Sequence, residues 1–346
     1  MCKTINSCFL NKLTFLNMID AFKRSSKCKG NRYDVLKFNM DLESNICNIM
    51  EELRSNKYKL GKYRSFKIYE PKERLILALP FKDRVVQQWY VYEFIIPFIV
   101  PRFINDSYAC IKEKGTHRAM YKVEDYYNYM KRMYGDFYIL KCDIRKFFYN
   151  IDKNILYKIM SRYFNDKMLL NLTKIFIFDG SGDIGIPVGN YTSQYFANIY
   201  LNELDYYIKD KLHIKCYVRY CDDFVIMVRN KKKAKEVLEK IRIYLRDVLH
   251  LELNKNTRYY PSKMGVNFCG YRVFGEYRLL RKRSIKKIRH NVKKWECDYK
   301  NGNLNKKKMQ LMWYSFLGHA KHANSYKLVR ECYCRIKDIN ELIYDR

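Results

Sequence analysis

Tyr220-Cys221-Asp222-Asp223-Phe224 sets an acidic pair between two apolar runs, Cys216-Tyr217-Val218-Arg219-Tyr220 before it and Phe224-Val225-Ile226-Met227-Val228 after it. Both runs are rich in β-branched and aromatic residues, so they read as the strands of a hairpin with the carboxylates at or beside its tight turn. Two anions held together at an exposed tip call for a cation. They do so in a chain of 346 residues that carries 68 Lys and Arg against 36 Asp and Glu, a net charge of +32. Taken alone, an Asp-Asp turn reads first as an ordinary solvated turn. A second acidic element is needed to decide.

It lies upstream, in Phe137–Phe148 (FYILKCDIRKFF), where another β-rich run ends at Asp143 and is followed by Phe147 and Phe148. Strand alternation puts Ile139, Lys141 and Asp143 on one face and Tyr138, Leu140 and Cys142 on the other. Asp143 by itself is a strand-end or helix-cap aspartate. Joined to the hairpin diacid by a sheet, it supplies the oxygen ligands that hard divalent ions require. Three clustered carboxylates without a cation would repel, and one would take up a proton.

The basic excess and the 33 tyrosines and 20 phenylalanines suit long contact with a phosphate backbone, with stacking on bases or sugars. An AT-rich genome also enriches Lys, Asn, Ile and Tyr, but it does not by itself produce a nearly two-to-one excess of basic over acidic residues. The twelve cysteines include no Cys-x-x-Cys pair and read as thiols in a reducing cytosol. The most apolar window, Phe94–Pro101, is too short for a bilayer and is broken by two prolines. The first sixteen residues lack the apolar run of a leader, so a cytoplasmic protein with no membrane partner is expected.

Along the chain, Leu42, Ile46, Ile49, Met50 and Leu53 form a helical stripe behind Asp41, a candidate N-cap. Residues 58–79 alternate as β-structure, with a hairpin turn at Glu70-Pro71-Lys72-Glu73, and Pro80 and Asp83 open a helix. Helical stripes follow at Phe196, Ile199, Tyr200, Leu204, Tyr207 and Ile208, and again over 233–249. Past Tyr277, Ile285, Ile288, Val292 and Trp295 line one helical face among Lys286, Lys287, Arg289, His290, Lys293 and Lys294. Two more helices are expected near 305–321 and 325–343.

Asp-Ile-x-x-Phe-Phe followed by Tyr-x-Asp-Asp resembles the palm of reverse transcriptases, and Gly185–Gln194 (GIPVGNYTSQ) resembles that family's third palm motif in order and spacing. The resemblance covers about residues 40–330. It implies an α+β right-hand polymerase fold: an N-terminal helical extension (1–57), fingers with part of the palm (58–136), the palm with its antiparallel sheet and catalytic motifs (137–276) and a helical thumb (277–346). It also implies RNA-directed DNA polymerase activity with two Mg²⁺ ions, or Mn²⁺ in their place. The carboxylates of Asp143, Asp222 and Asp223 and the carbonyl of Ile144 would be the metal ligands. Lys72 and Arg74 match the basic residues of the fingers hairpin that reach the triphosphate, and Phe148 matches the aromatic gate against a ribose 2′-hydroxyl. Val188, Gly189 and Gln194 would line the nucleotide pocket. Gly265–Tyr271 (GVNFCGY) resembles the primer grip, with Gly265, Phe268, Gly270 and Tyr271. Arg283, Lys286 and Lys287 of the thumb would hold primer and template.

The branch is suggested by the third motif, where Val188-Gly189 and Ser193-Gln194 stand in place of the Gln-Gly and Ser-Pro of many relatives. That pattern, with Gly318–Tyr326 (GHAKHANSY), resembles the enzymes of diversity-generating retroelements, in which the pocket is associated with miscopying of template adenines. The implied partners are a structured noncoding RNA template, a DNA or RNA primer with its cDNA product, deoxynucleotides and a small basic accessory protein. An antiphage defence reverse transcriptase copying its own noncoding RNA, a group II intron maturase and a non-catalytic RNA-binding scaffold remain as alternatives.

Overall fold

Where β-branched and aromatic residues alternate, strands form, and in the computed structural model they build three sheets among the described residues, 8–69, 73–180 and 182–340. Arg64–Ile68 (β1) and Arg74–Ala78 (β2) pair antiparallel, with Ile68 opposite Arg74. Residues 70–72 of the expected turn, Lys72 included, lie outside the described residues. Tyr138–Asp143 (β3), Tyr217–Tyr220 (β4), Asp223–Val228 (β5) and Arg258–Pro261 (β6) form a four-stranded sheet in the order β4-β5-β3-β6. Val266–Phe268 (β7), Tyr271–Val273 (β8) and Arg278–Leu280 (β9) form an antiparallel meander.

The chain divides into two compact units. The first comprises residues 1–112, 143–213 and 239–256. Its core holds Phe9, Trp89, Tyr90, Phe94, Phe176 and Phe196, with rings at 5–6 Å and largely edge-to-face. At its centre the helix Tyr191–Tyr206 is buried on nearly every side. The polar residues between its apolar stripe residues are buried too, and Asn198 Nδ2 donates to the Ala109 carbonyl at 2.8 Å. The helix expected behind Pro80 spans Phe81–Tyr90, but Asp83 does not cap it. Its buried carboxylate instead accepts from the Tyr58 hydroxyl (2.7 Å) and the Gly61 N–H (3.1 Å), tying down the segment that leads into β1.

The second unit comprises residues 113–142, 214–238 and 257–346. The helix Thr116–Tyr134 packs on β4, β5 and β8, burying Ala119, Met120, Val123, Tyr127 and Met130. Three C-terminal helices, Lys282–Lys300, Lys306–Ala320 and Tyr326–Asn340, enclose Ile288, Val292, Trp295, Met309, Trp313, Cys332 and Ile336. The helix Lys231–Leu249 begins in this unit and ends in the first. No helix among the described residues is long and apolar enough to cross a membrane, and the described cysteines are free thiols.

Candidate active site

In the β4–β5 register Tyr220 faces Asp223, so Cys221 and Asp222 are the two turn residues and Asp223 already belongs to β5. Cys221 takes φ +55°, and two-residue hairpins turn through such left-handed positions. The turn is held from below by Arg219, a fully buried residue whose guanidinium donates to the Cys221 carbonyl at 3.1 Å. An arginine in an apolar strand run carries no sequence motif, so only the fold exposes this role. Because β3 neighbours β5 in the sheet, Lys141 pairs with the Asp223 carboxylate. Its ammonium also lies 4.8 Å from the centroid of the Phe268 ring.

Asp143, the half-buried last residue of β3, is gripped twice by Asn254. The Asn254 N–H donates to its carbonyl (2.7 Å) and the Asn254 amide to its Oδ2 (2.9 Å). Ile144 then bridges Leu253, with Arg145 N–H donating to the Glu252 carbonyl at 2.9 Å. These ladder bonds use the carbonyl of Asp143 and the N–H of Arg145, and neither uses the carbonyl of Ile144. Phe147 is buried, whereas Phe148 is only partly covered, with its ring edge-on to Phe147 at 5.7 Å.

The Phe148 carbonyl accepts from Ile186 N–H (2.8 Å), and Ile151 accepts from Gly185 N–H (2.7 Å), which stitches the Asp143 segment to the third motif. That motif is also hooked to β2, since Leu77 N–H donates to the Val188 carbonyl at 2.9 Å. Gly189 sits at φ +127°, and a Cβ there would lie 2.8 Å from the Leu77 oxygen. Only glycine admits so close a strand. Val188 is half-buried and Gln194 exposed, with the Cys110 thiol 3.5 Å from the Gln194 side-chain oxygen. Arg74 is exposed at the start of β2.

In the primer-grip motif, Cys269 (φ +45°) and Gly270 (φ +92°) make the two-residue turn between β7 and β8. Phe268 and Tyr271 are fully buried, so what this hairpin offers to solvent is backbone rather than those rings. Gly265, at φ +67°, faces the Phe274 ring, which a Cβ would meet at 2.7 Å. Burial pushes both the Cys269 thiol and the Tyr271 hydroxyl up to about 12. The Tyr271 oxygen lies 2.9 Å from His319 Nδ1 and 2.9 Å from the His319 carbonyl, and the His117 and His322 rings stack at 3.7 Å nearby. Arg283, Lys286 and Lys287 are exposed on the helix Lys282–Lys300. Arg278, in contrast, is committed to Glu124 at 2.8 Å and to the face of Tyr121.

Among the described residues no three carboxylate, imidazole or thiol groups come together closely enough to hold a metal ion by themselves. Asp143 is engaged by Asn254 and Asp223 by Lys141. The donor set itself, carboxylate and carbonyl oxygen, is the chemistry that Mg²⁺ selects.

A diacid hairpin in an antiparallel sheet, a carboxylate ending the neighbouring strand and a helix laid on that sheet define a polymerase of the right-hand class. The chain belongs to the reverse transcriptase (RNA-dependent DNA polymerase) family, whose model matches residues 67–273. Enzymes of this family generally use divalent metal ions. Protein YkfC of Escherichia coli (strain K12) is 26% identical, with the match covering 68% of this chain and 71% of that protein. Among solved structures, the telomerase of Candida albicans in complex with the TWJ fragment of telomeric RNA is similar at a TM-score of 0.49 and 13% identity, over 82% of this chain and 59% of its own. The partial Cas6-RT-Cas1–Cas2 complex is similar at a TM-score of 0.41 and 19% identity, over 70% of this chain and 43% of its own. The chain thus spans less than two thirds of the length of these solved neighbours.

Proposed function

We propose that this chain copies a structured noncoding RNA into cDNA and does so with relaxed discrimination opposite template adenines, as resemblance to diversity-generating retroelement enzymes implies. The observation that carries the reading is the loop Gly185–Asn190, tied to the Phe148 carbonyl through the Ile186 N–H and carrying at half-buried Val188 an apolar side chain without an amide. An apolar wall contacts base and sugar by shape alone. A side-chain amide there would add a directional hydrogen bond, and its loss lowers the free-energy gap between correct and incorrect nucleotides.

In this reading Asp143, Asp222 and Asp223, with the Ile144 carbonyl, hold two Mg²⁺ ions, which when bound stabilise the charge on the attacking and leaving oxygens. Asn254 fixes the rotamer of Asp143, and Arg219 fixes the turn that carries Asp222. Phe148 blocks the space of a ribose 2′-hydroxyl, and Arg74 contacts the triphosphate. The hairpin 265–271 and the basic helix 282–300 position the primer and the template, so orientation supplies much of the rate. Fingers, palm and thumb fall at 58–136, 137–276 and 277–346.

The test is the error spectrum. RNA that copurifies with the protein is to be sequenced together with the cDNA made from it. Mismatches concentrated opposite adenines are expected, and Val188→Gln should lower them severalfold. An even spectrum in the wild type, or one that Val188→Gln leaves unchanged, removes the account of the pocket.

A further inference from the structure

Beneath the third motif lies a charge pair that nothing above uses. The side chains of Lys153 and Asp179 are both fully buried, with Lys153 Nζ 2.7 Å from Asp179 Oδ1. The second oxygen of Asp179 accepts from the Tyr63 hydroxyl at 2.9 Å, and the Tyr63 oxygen in turn accepts from Asn190 Nδ2 at 2.8 Å. Burial and the neighbouring carboxylate raise the Tyr63 pKa far above its ordinary value, so the hydroxyl remains a donor. Four side chains from four separate stretches of sequence thus form one continuous chain, all within the first unit.

Stability alone does not explain it. A buried ion pair is commonly no better for stability than apolar residues of the same volume, because desolvation cancels the attraction. Asn190 stands at the N-cap of the helix Tyr191–Tyr206, where an asparagine ordinarily accepts from the first free N–H groups, yet its side chain makes no cap bond. Its amide is spent on Tyr63 instead. A residue that forgoes its local role for a buried polar contact marks a place where geometry is being specified.

The geometry points to a positioning relay: we propose that Lys153, Asp179, Tyr63 and Asn190 set the height of the Val188-Gly189 loop and thereby the discrimination of the incoming deoxynucleotide. Besides the Gly185 and Ile186 bonds at its start, the loop has two tethers from Val188 onward, Leu77 N–H to the Val188 carbonyl at 2.9 Å and Tyr191 N–H to Gln87 Oε1 at 3.1 Å. The relay adds the third, immediately after Gly189. This rests on the reading, proposed above, that the loop lines the nucleotide pocket.

Tyr63→Phe keeps the ring but deletes the hydroxyl that bonds both Asp179 and Asn190, and Asn190→Ala removes the Asn190 bond from its other end. Each is expected to raise the KM for deoxynucleotide by about fivefold, the worth of one such hydrogen bond, with kcat within about twofold. The double variant should be no worse than Tyr63→Phe alone, since that change already breaks the link that Asn190→Ala removes. Amide hydrogen exchange should quicken at 186–191 and stay unchanged in the helix Lys167–Ile177. Additive KM effects, or unchanged exchange at 186–191, would overturn the relay. Faster loop exchange with an unchanged KM and error spectrum would overturn its role in discrimination. If the wild type polymerises nothing, the reading of the pocket fails, while the exchange measurement still decides whether the relay positions the loop.

Discussion

Asn254 holds Asp143 through both its backbone and its carboxylate. Side chains that orient a metal-ligating carboxylate matter nearly as much as the ligand, and their loss typically costs about 10–100-fold in metal affinity or activity. Asn254→Ala is therefore expected to raise the Mg²⁺ concentration for half-maximal primer extension by about tenfold or more, read from a metal titration. An unchanged titration would mean that the hydrogen bond only caps a strand end. The contact of Asn254 with Asp143 leaves no mark on a local pattern, because 111 residues separate them. Arg219 is a stronger case. Strand alternation marks its position as one more residue of β4, and only the tertiary structure shows that its charge is buried beneath the Cys221 carbonyl. The same turn explains Cys221 as backbone: its φ of +55° is a conformational demand of the hairpin, and nothing in the structure assigns its thiol a task.

At the scale of elements, the hairpin β7–β8 and the end of the helix Lys306–Ala320 are coupled through His319, whose pKa is lowered by burial and by the nearby His117. The sign follows from linkage. With a folded-state pKa below the unfolded value, the unfolded chain binds the proton more readily, so stability falls as pH drops below the ordinary histidine value of about 6.5. The loss levels off once pH passes below the depressed folded pKa. The wild type should therefore lose more Tm between pH 7 and 5.5 than His319→Gln, and equal losses would show that this coupling does not titrate. Elements with strong periodicity were legible: the helix stripes at 42–53 and 285–295 and the hairpin around Asp222 stand where the sequence puts them. The helix after Gly189 was legible in position but not in burial, since its apolar stripe predicts one covered face and the fold covers nearly all of it. A helix at the centre of a unit needs buried amides with partners, and pairings such as Asn198 with Ala109, 89 residues apart, leave no mark on a local pattern.

For the molecule as a whole, a net charge of +32 is an electrostatic statement about partners. Each lysine on a phosphate contributes about one unit to the slope of log affinity against log salt. If Lys286 and Lys287 grip the duplex, Lys286→Ala with Lys287→Ala should reduce that slope by about two, measured by primer–template binding over a salt series. A slope that does not move would assign these exposed lysines to solvent. What the fold adds at this scale is the separation of roles. One unit holds Asp143, Phe148 and the loop Gly185–Asn190, and the other holds the Asp222-Asp223 hairpin, the strands β7 and β8 and the basic helix.

The central claim is that Asp222 and its partners perform metal-dependent copying of RNA into DNA. Extension of a primer on an RNA template by the purified chain, with deoxynucleotides and Mg²⁺, is the direct test. The account predicts extension that chelation abolishes and that Asp222→Ala reduces by at least about a hundredfold, the usual scale for removing a charge-stabilising group. Undiminished extension by Asp222→Ala would contradict it.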